Sequence, residues 1–479
     1  MLTVLVVIFY VVILVTVAII IVNTTTTSKA LAYLMLISLF PVVGLIVYFA
    51  IGRNYRINKL YSKKLEVDRN AFPELEQELK EYSKDAINKS ENFLDNFINL
   101  AQFNTIDNVL TLNNDVKLLL NGESKFPDVL ESLKNAKHHI HIEYYIYEDD
   151  EIGKAIGKVL KQKAAEGVEV RFIYDDFGSK SMKKSFIKDL ESSGVEVFPF
   201  YKIKLLFFAN RINYRNHRKI IVIDGKTGYV GGINISERYA NPNSRNLYWR
   251  DTHLKISGSA VLSLQRVFMS DWNFCAQQNI GVLKEYFPIK NIFENNTKKL
   301  VQIVYSGPDS DHPNIMFALM QAIIMAKKEI LITTPYFVPD TSFINALKIA
   351  KLSNVSIKLL VPGVSDSFLV NATSNSYYQE LLETGIEVYK YTKGFVHAKT
   401  MVCDGFVSTI GTANLDQRSF DLNFEINAFV YDAEFSNELR EAFLNDLKNA
   451  TKLELESWKN RSYFVQFIER VARLLSPLM

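Results

Sequence analysis

Cysteine is nearly absent from this chain, 2 residues in 479, and Cys275 and Cys403 lie too far apart in the sequence to imply a pair. That excludes a disulfide-stapled scaffold and fits a reducing compartment. Proline and glycine are also sparse, at 12 and 20 residues, which excludes collagen-like and low-complexity chains. Acidic residues are missing altogether before Glu66, whereas six basic ones precede it. Beyond that point 49 basic residues face 52 acidic ones, so the body lacks the strongly basic surface that bulk nucleic-acid binding requires. No nucleic-acid partner is expected. With 48% apolar and 22% charged residues, the chain is long enough for two or three domains, each with its own core.

Charge is absent from two long apolar runs, residues 2–22 and 30–51. About 20 apolar residues in a helix cross a hydrocarbon core about 30 Å thick, so each run is long enough to span. The short polar connection Asn23 to Lys29 makes them a transmembrane hairpin over residues 1–56. No charged segment precedes the first run, which is also too long for the apolar part of a cleaved secretory signal. Arg53, Arg56, Lys59, Lys63 and Lys64 follow the second run, against Lys29 alone in the connection. That bias predicts a multi-pass cell-membrane protein with its long C-terminal portion in the cytoplasm.

Residues 57–105 read as a polar, helical juxtamembrane linker, and beyond them the chain repeats itself. The segment from Ala136 to Asp175 and that from Ala326 to Pro362 share one grammar: Ala-Lys at a helix end, a β-rich run, a helix of 3.6-residue period, and a second β-rich run. Upstream, VKLLLNG at Val116 corresponds to VQIVYSG at Val301. Two related α/β halves follow, at about 106–295 and 296–479, with helices layered on a largely parallel sheet.

Each half then carries H-x-K-x-x-x-x-D, as His217, Lys219, Asp224 and as His397, Lys399, Asp404. Composition alone predicts about 0.1 such matches, so two in register with a duplication are significant. Residues i and i+2 of a strand share a face, so His and Lys project together, and Asp-Gly makes the turn into the next strand. Two imidazoles and two ammonium groups offer a nucleophile, an acid and positive charge, and no metal or cofactor is expected. The cluster His138, His139, His141 has no nearby carboxylate beyond Glu143 and reads as structural.

The paired motifs resemble the phospholipase D superfamily, and the match continues through Gly231-Gly232-Ile233-Asn234 and Gly411-Thr412-Ala413-Asn414 with Asp416 to Phe420. Gly52 to Arg56, Tyr144-Tyr145, Pro335-Tyr336-Phe337 and Ser306 to Asp309 are similar to the bacterial cardiolipin synthases within it. The resemblance implies two α-β-α domains related by a pseudo-twofold axis. It implies that His217, Lys219, Asp224, His397, Lys399 and Asp404 are catalytic, with His217 as nucleophile forming a phosphohistidine and His397 as acid and base. Asn234 and Asn414, with the lysines, would hold phosphoryl oxygens. Asp251 and Glu425, 34 and 28 residues beyond the histidine of their own half, are the candidates for orienting an imidazole. The implied reaction condenses two phosphatidylglycerol molecules to cardiolipin and glycerol at the bilayer. A hydrolytic phospholipase D, a nuclease and a catalytically silent membrane scaffold are the alternatives.

Two apolar features suit a lipid surface. Lys202, Lys204, Arg211, Arg215, Arg218 and Lys219 interleave with Leu205 to Phe208, and Phe464, Phe467, Ile468, Val471, Leu474, Leu475 and Leu478 recur at helical spacing.

Overall fold

A computed structural model describes residues 2–24, 27–49, 64, 71–94, 97–102, 109–200, 214–242, 247–288 and 299–476. Gly52 to Arg56, and the apolar wedge with its basic flank from Lys202 to Arg211, lie outside the described residues.

Helix α1 (Leu2–Asn23) is uncharged and about 33 Å long, enough to cross a membrane. The second apolar run departs from the expected straight span. It forms α2 (Thr27–Leu39) and α3 (Pro41–Val47), which break at Phe40. Pro41 disfavours helical backbone at the residue before it, and Phe40 sits at φ −138°, ψ 73°. The pieces fold together so closely that a Cβ on Gly44 would lie 2.6 Å from the Ile37 backbone. At about 20 and 10 Å, neither crosses alone. At the start of α2, Lys29 forms an ion pair with Asp421 of the second half. Lys64, one of the basic residues counted after the second apolar run, is buried against Asp309 at 2.7 Å and Asp271 at 3.4 Å.

The helix Pro73–Leu94 is no free linker, because it packs on the first half. Its Tyr82 hydroxyl donates to the Leu112 carbonyl at 3.1 Å, and its Ser83 hydroxyl accepts from the Leu110 amide at 3.2 Å.

The first half contributes β1 (Leu110–Leu120), β2 (His139–Tyr144), β3 (Glu169–Tyr174), β4 (Glu196–Pro199), β5 (Lys219–Ile223), β6 (Thr227–Gly231), a short β7 (Tyr248–Arg250) and β8 (Thr252–Gly258). The second contributes β9 (Lys299–Ser306), β10 (Glu329–Thr333), a short β11 (Phe337–Val338), β12 (Ser356–Pro362), β13 (Glu387–Tyr391), a short β14 (Gly394–Val396), β15 (Thr400–Cys403), β16 (Val407–Gly411), a short β17 (Leu415–Asp416), β18 (Glu425–Tyr431) and β19 (Ala450–Lys452). Fifteen of these strands form one sheet, in the order β19-β13-β12-β10-β15-β16-β18-β9-β1-β8-β6-β5-β2-β3-β4. The order reads the same outward from the seam between β9 and β1, apart from β19, so the duplication is built into a single sheet. β1 and β9 are antiparallel across that seam, pairing Leu110 with Gln302 and Thr111 with Val301.

Only β2-β3-β4 and β10-β12-β13 are parallel; every other ladder in the sheet is antiparallel. This corrects the expectation of a largely parallel sheet. The Asp-Gly turns decide it, because a tight hairpin can only join antiparallel neighbours. Asp224 and Gly225 have φ of 55° and 63°, and Asp404 and Gly405 have 54° and 64°.

Helices cover both faces. Ala260–Ala276 and Ala433–Leu447 pack on one, while Asn121–Lys134, Glu151–Ala165, Asn314–Met325 and Thr341–Leu352 contribute to the cores of the other. With both faces covered, all five residues of β5 and all seven of β18 are buried, which explains their unbroken apolar character around the functional side chains.

Candidate active site

The segments that lead into the two histidines are stitched to the opposite half. The His217 amide donates to the Phe424 carbonyl at 3.0 Å, and the Phe424 amide donates to the Arg215 carbonyl at 2.9 Å. Likewise β14 runs parallel to β7, and the His397 amide donates to the Arg250 carbonyl at 2.7 Å. Each histidine therefore enters the site beside the carboxylate of the other half. His217 Nδ1 lies 2.9 Å from Glu425 Oε2, and His397 Nδ1 lies 2.7 Å from Asp251 Oδ2. Both carboxylates are fully buried. Asp251 and Glu425 thus sit behind imidazoles, but crosswise rather than each behind the histidine of its own half. A guanidinium reinforces the exchange, as Arg250 Nε donates to both Asp446 oxygens at 2.8 and 3.0 Å.

An ionised carboxylate on Nδ1 fixes the tautomer with its proton there and leaves Nε2 with a lone pair. Burial is the main force on both rings, aided by the neighbouring lysines and opposed by the carboxylates; it lowers His217 to about 4 and His397 to about 3. Burial alone would push the two carboxyl groups up, but the paired imidazole and the nearby lysine outweigh it and hold both below their ordinary range. Burial thus favours neutral imidazoles, and the pairing favours charged carboxylates.

The period of two places each lysine on the face of its histidine. Lys219 Nζ donates to the His217 carbonyl at 2.7 Å, while Lys399 Nζ lies 3.0 and 3.1 Å from the two ring nitrogens of His397. Burial, helped by the charge of Lys399, lowers Lys219 to about 7, and burial lowers Lys399 to about 8. Lys399 acts on His217 and Lys219 acts on His397, so the four groups share one electrostatic field.

Asp224 and Asp404 stand apart. Five residues beyond the lysine along a strand is about 16 Å. There Asp224 accepts the amides of Lys137, His138 and His139 at 2.7–3.0 Å, and Asp404 those of Lys327, Lys328 and Glu329 at 2.7–2.9 Å. Their carboxylates tie the hairpin to the start of β2 or β10, away from the two imidazoles. Asn234 is also committed, accepting from the Ile146 amide at 3.2 Å and donating to the Tyr239 hydroxyl at 2.8 Å. Among the described residues the buried Asn414 Oδ1 has no partner. The cluster His138, His139, His141 packs against Tyr286, with His141 stacked on Phe268 and bonded to Gln265 and Glu169.

Aromatic walls were not assigned from sequence. Tyr145 meets His217 edge-on at 4.7 Å, and Tyr239 and Trp249 each stand 5.7 Å from His397. Trp249 could have been singled out because it lies two residues before Asp251; nothing local marks Tyr239.

A family described as cardiolipin synthase, PLD-like domain, matches residues 129–272 and 319–447, and one described as phospholipase D-nuclease N-terminal matches residues 5–53. A cardiolipin synthase of Halalkalibacterium halodurans is 41% identical over 452 residues, covering 94% of this chain and 89% of that protein. The chain belongs to the cardiolipin synthase family of the phospholipase D superfamily. A cardiolipin synthase of Listeria monocytogenes is 39% identical, with 94% of both chains covered, and the cardiolipin synthase 2 of Bacillus anthracis is also 39% identical, covering 94% of this chain and 87% of that one. Among solved structures, a phosphatidylserine synthase of Haemophilus influenzae superposes with a TM-score of 0.58 at 15% identity, over 76% of this chain and 95% of that one, and shares the fold.

Proposed function

We propose that the enzyme joins two phosphatidylglycerol molecules into cardiolipin and releases glycerol. The observation that carries this reading is the crossed pair of His-carboxylate dyads with two buried lysines, in a chain that begins with a membrane-length apolar helix. Among the described residues nothing donates to Nε2 of His217, whereas the Lys399 ammonium lies 3.1 Å from Nε2 of His397. This supports His217 as the nucleophile.

The anionic phosphate entering beside His397 favours its protonated form, so Nε2 takes up a proton; His217 Nε2 then attacks phosphorus, the bond to the headgroup glycerol breaks, and His397 gives that proton to the leaving oxygen. A phosphatidyl group is then held on His217. The glycerol hydroxyl of a second phosphatidylglycerol loses its proton to His397 and attacks the same phosphorus, releasing His217 and forming cardiolipin. Lys219 and Lys399 offset charge on the nonbridging oxygens. Tyr145, Tyr239 and Trp249 favour a lipid hydroxyl over water at the second step.

The catalytic halves face the cytoplasm in this reading. Lys29, paired with Asp421, supports a single crossing by α1, with α2 and α3 turning back to the side they left. Reporters at Met1 and Met479 should then lie on opposite sides, and readout from the same side would restore the two-span hairpin.

Purified enzyme given labelled phosphatidylglycerol should yield cardiolipin and glycerol in equal amounts. Phosphatidic acid accumulating in their place would overturn the synthase reading in favour of hydrolysis.

A further inference from the structure

The helix Tyr463–Leu474 is amphipathic with its faces reversed. Gln466, Glu469 and Arg473 turn toward the protein. Glu469 is buried and takes both guanidinium nitrogens of Arg461 at 2.7 and 2.8 Å, Gln466 donates to the Lys459 and Arg461 carbonyls at 2.9 Å, and Arg473 donates to Glu380 at 2.6 Å while lying 4.0 Å over the Tyr377 ring. The outward side carries Phe464, Phe467, Val471 and Leu474, at 69, 58, 44 and 54% exposure. A helix meant for water buries such a stripe.

We infer that this stripe lies in the interfacial layer of the bilayer that holds α1, as a second membrane contact that presents the active site to lipid. The inference rests on the membrane phospholipid reading above and adds the surface through which it is met. Three observations select a bilayer as the occupant. The half that bears the stripe is the half to which the membrane segment is tied, through Lys29 and Asp421. Arg470 points outward among the apolar residues and, among the described residues, has no acidic partner, which matches an anionic headgroup layer.

The third observation is direction. Lys459, just before the helix, pairs with Glu383 at the end of the helix Phe368–Glu383, while Arg473 and Ser476 meet Ser376 and Tyr377 nearer its start. The stripe therefore runs antiparallel to that helix, toward its first turn, where Phe368 is 76% exposed. Just ahead of that turn, the charge of Asp366 reaches Lys399. The apolar track leads from the chain's end to the rim of the site.

The test uses the full chain reconstituted in vesicles of phosphatidylglycerol and phosphatidylcholine with brominated acyl chains. Phe467→Trp should add a fluorescence component quenched at least twofold by bromine, while Glu441→Trp, on an exposed position of the helix Ala433–Leu447, adds one that is not quenched. Phe467→Asp combined with Val471→Asp should lower turnover of vesicle phosphatidylglycerol about tenfold and leave turnover of dispersed short-chain phosphatidylglycerol within twofold. A Phe467→Trp signal no more quenched than the Glu441→Trp signal overturns the inference. So does a signal shielded from iodide but not quenched by bromine, since another protein surface then covers the stripe, and so does unchanged vesicle turnover in the double variant. The quenching is read without turnover, so loss of the synthase reading would show separately, as an absence of cardiolipin from every form.

Discussion

The two halves share a backbone plan but back their histidines differently. Glu425, behind His217, is held by side chains: the Thr412 hydroxyl donates to its Oε2 and Asn423 Nδ2 donates to Oε1 at 3.1 Å. Asp251, behind His397, is held by backbone, accepting from the Thr252 amide at 2.7 Å and pressed against Gly232, where a Cβ would lie 2.2 Å from its Oδ1. Gly232 and Thr412 are equivalent positions, so glycine makes room in one half where a hydroxyl donates in the other. The first half also buries Lys125, whose Nζ donates to the Ile233 carbonyl at 2.7 Å and feels the charge of Asp251. Burial pushes that ammonium well below its ordinary range. The duplicated fold supplies the geometry twice, and the surroundings of each carboxylate set the two imidazoles apart.

The strongest way to break this comparison is to remove the rings. His217→Ala and His397→Ala should each cost roughly 10⁴-fold or more in kcat with phosphatidylglycerol. Acid quenching should still trap phosphate on protein in His397→Ala when the substrate carries a leaving group that needs no proton, and should trap none in His217→Ala. Trapping in the reverse pattern would exchange the two roles.

Next comes the crossing. Glu425→Gln should slow formation of the phosphoenzyme by roughly 10²–10⁴-fold, because it unsettles His217. Asp251→Asn should act by a similar factor on release of the first alcohol and attack by the second, the steps of His397. Rapid-quench kinetics separates these steps. If each substitution instead affects the histidine of its own half, the crossed arrangement is wrong.

The lysines give a smaller, pH-dependent effect. A lysine carries charge below its pKa, and Lys219 and Lys399 titrate at about 7 and about 8 in the free enzyme. kcat/KM should therefore fall as pH rises through 7–8, while kcat, read with an anionic substrate bound, falls at higher pH. Lys219→Arg keeps its charge at all working pH and should move the kcat/KM limb toward 8. An unmoved limb would assign the titration elsewhere.

The smallest contrast is between equals. Asp224→Ala and Asp404→Ala each free three backbone amides and should cost about 1–3 kcal/mol of stability, seen as a Tm lower by several degrees. Activity per folded molecule should stay within about twofold in both. A large loss of kcat in either would return that aspartate to the catalytic set.

What could be read in advance was periodic and local. Alternation in the extended segments that lead into β5 and β15 placed His and Lys on one face, and the second copy of that pattern made a shared site legible. The crossing was not legible, because Glu425 and Asp251 meet their rings across 208 and 146 residues of chain, and only the packing of two halves decides which carboxylate reaches which ring. Two departures have local signals: Pro41 inside an apolar run marks a break, and the Asp-Gly turns require antiparallel strands. The stripe from Phe464 to Leu474 announced a helix, but periodicity does not say which face meets the protein.

The seam between β1 and β9 carries a consequence for modularity. Separated there, each half would expose a long, unpaired border of backbone donors and acceptors, an invitation to indiscriminate association. Each would also keep a histidine stripped of its carboxylate and a carboxylate stripped of its ring. Neither piece alone would hold a His-carboxylate pair, so fusion of the copies into one polypeptide guarantees that every molecule is born with its counterpart attached.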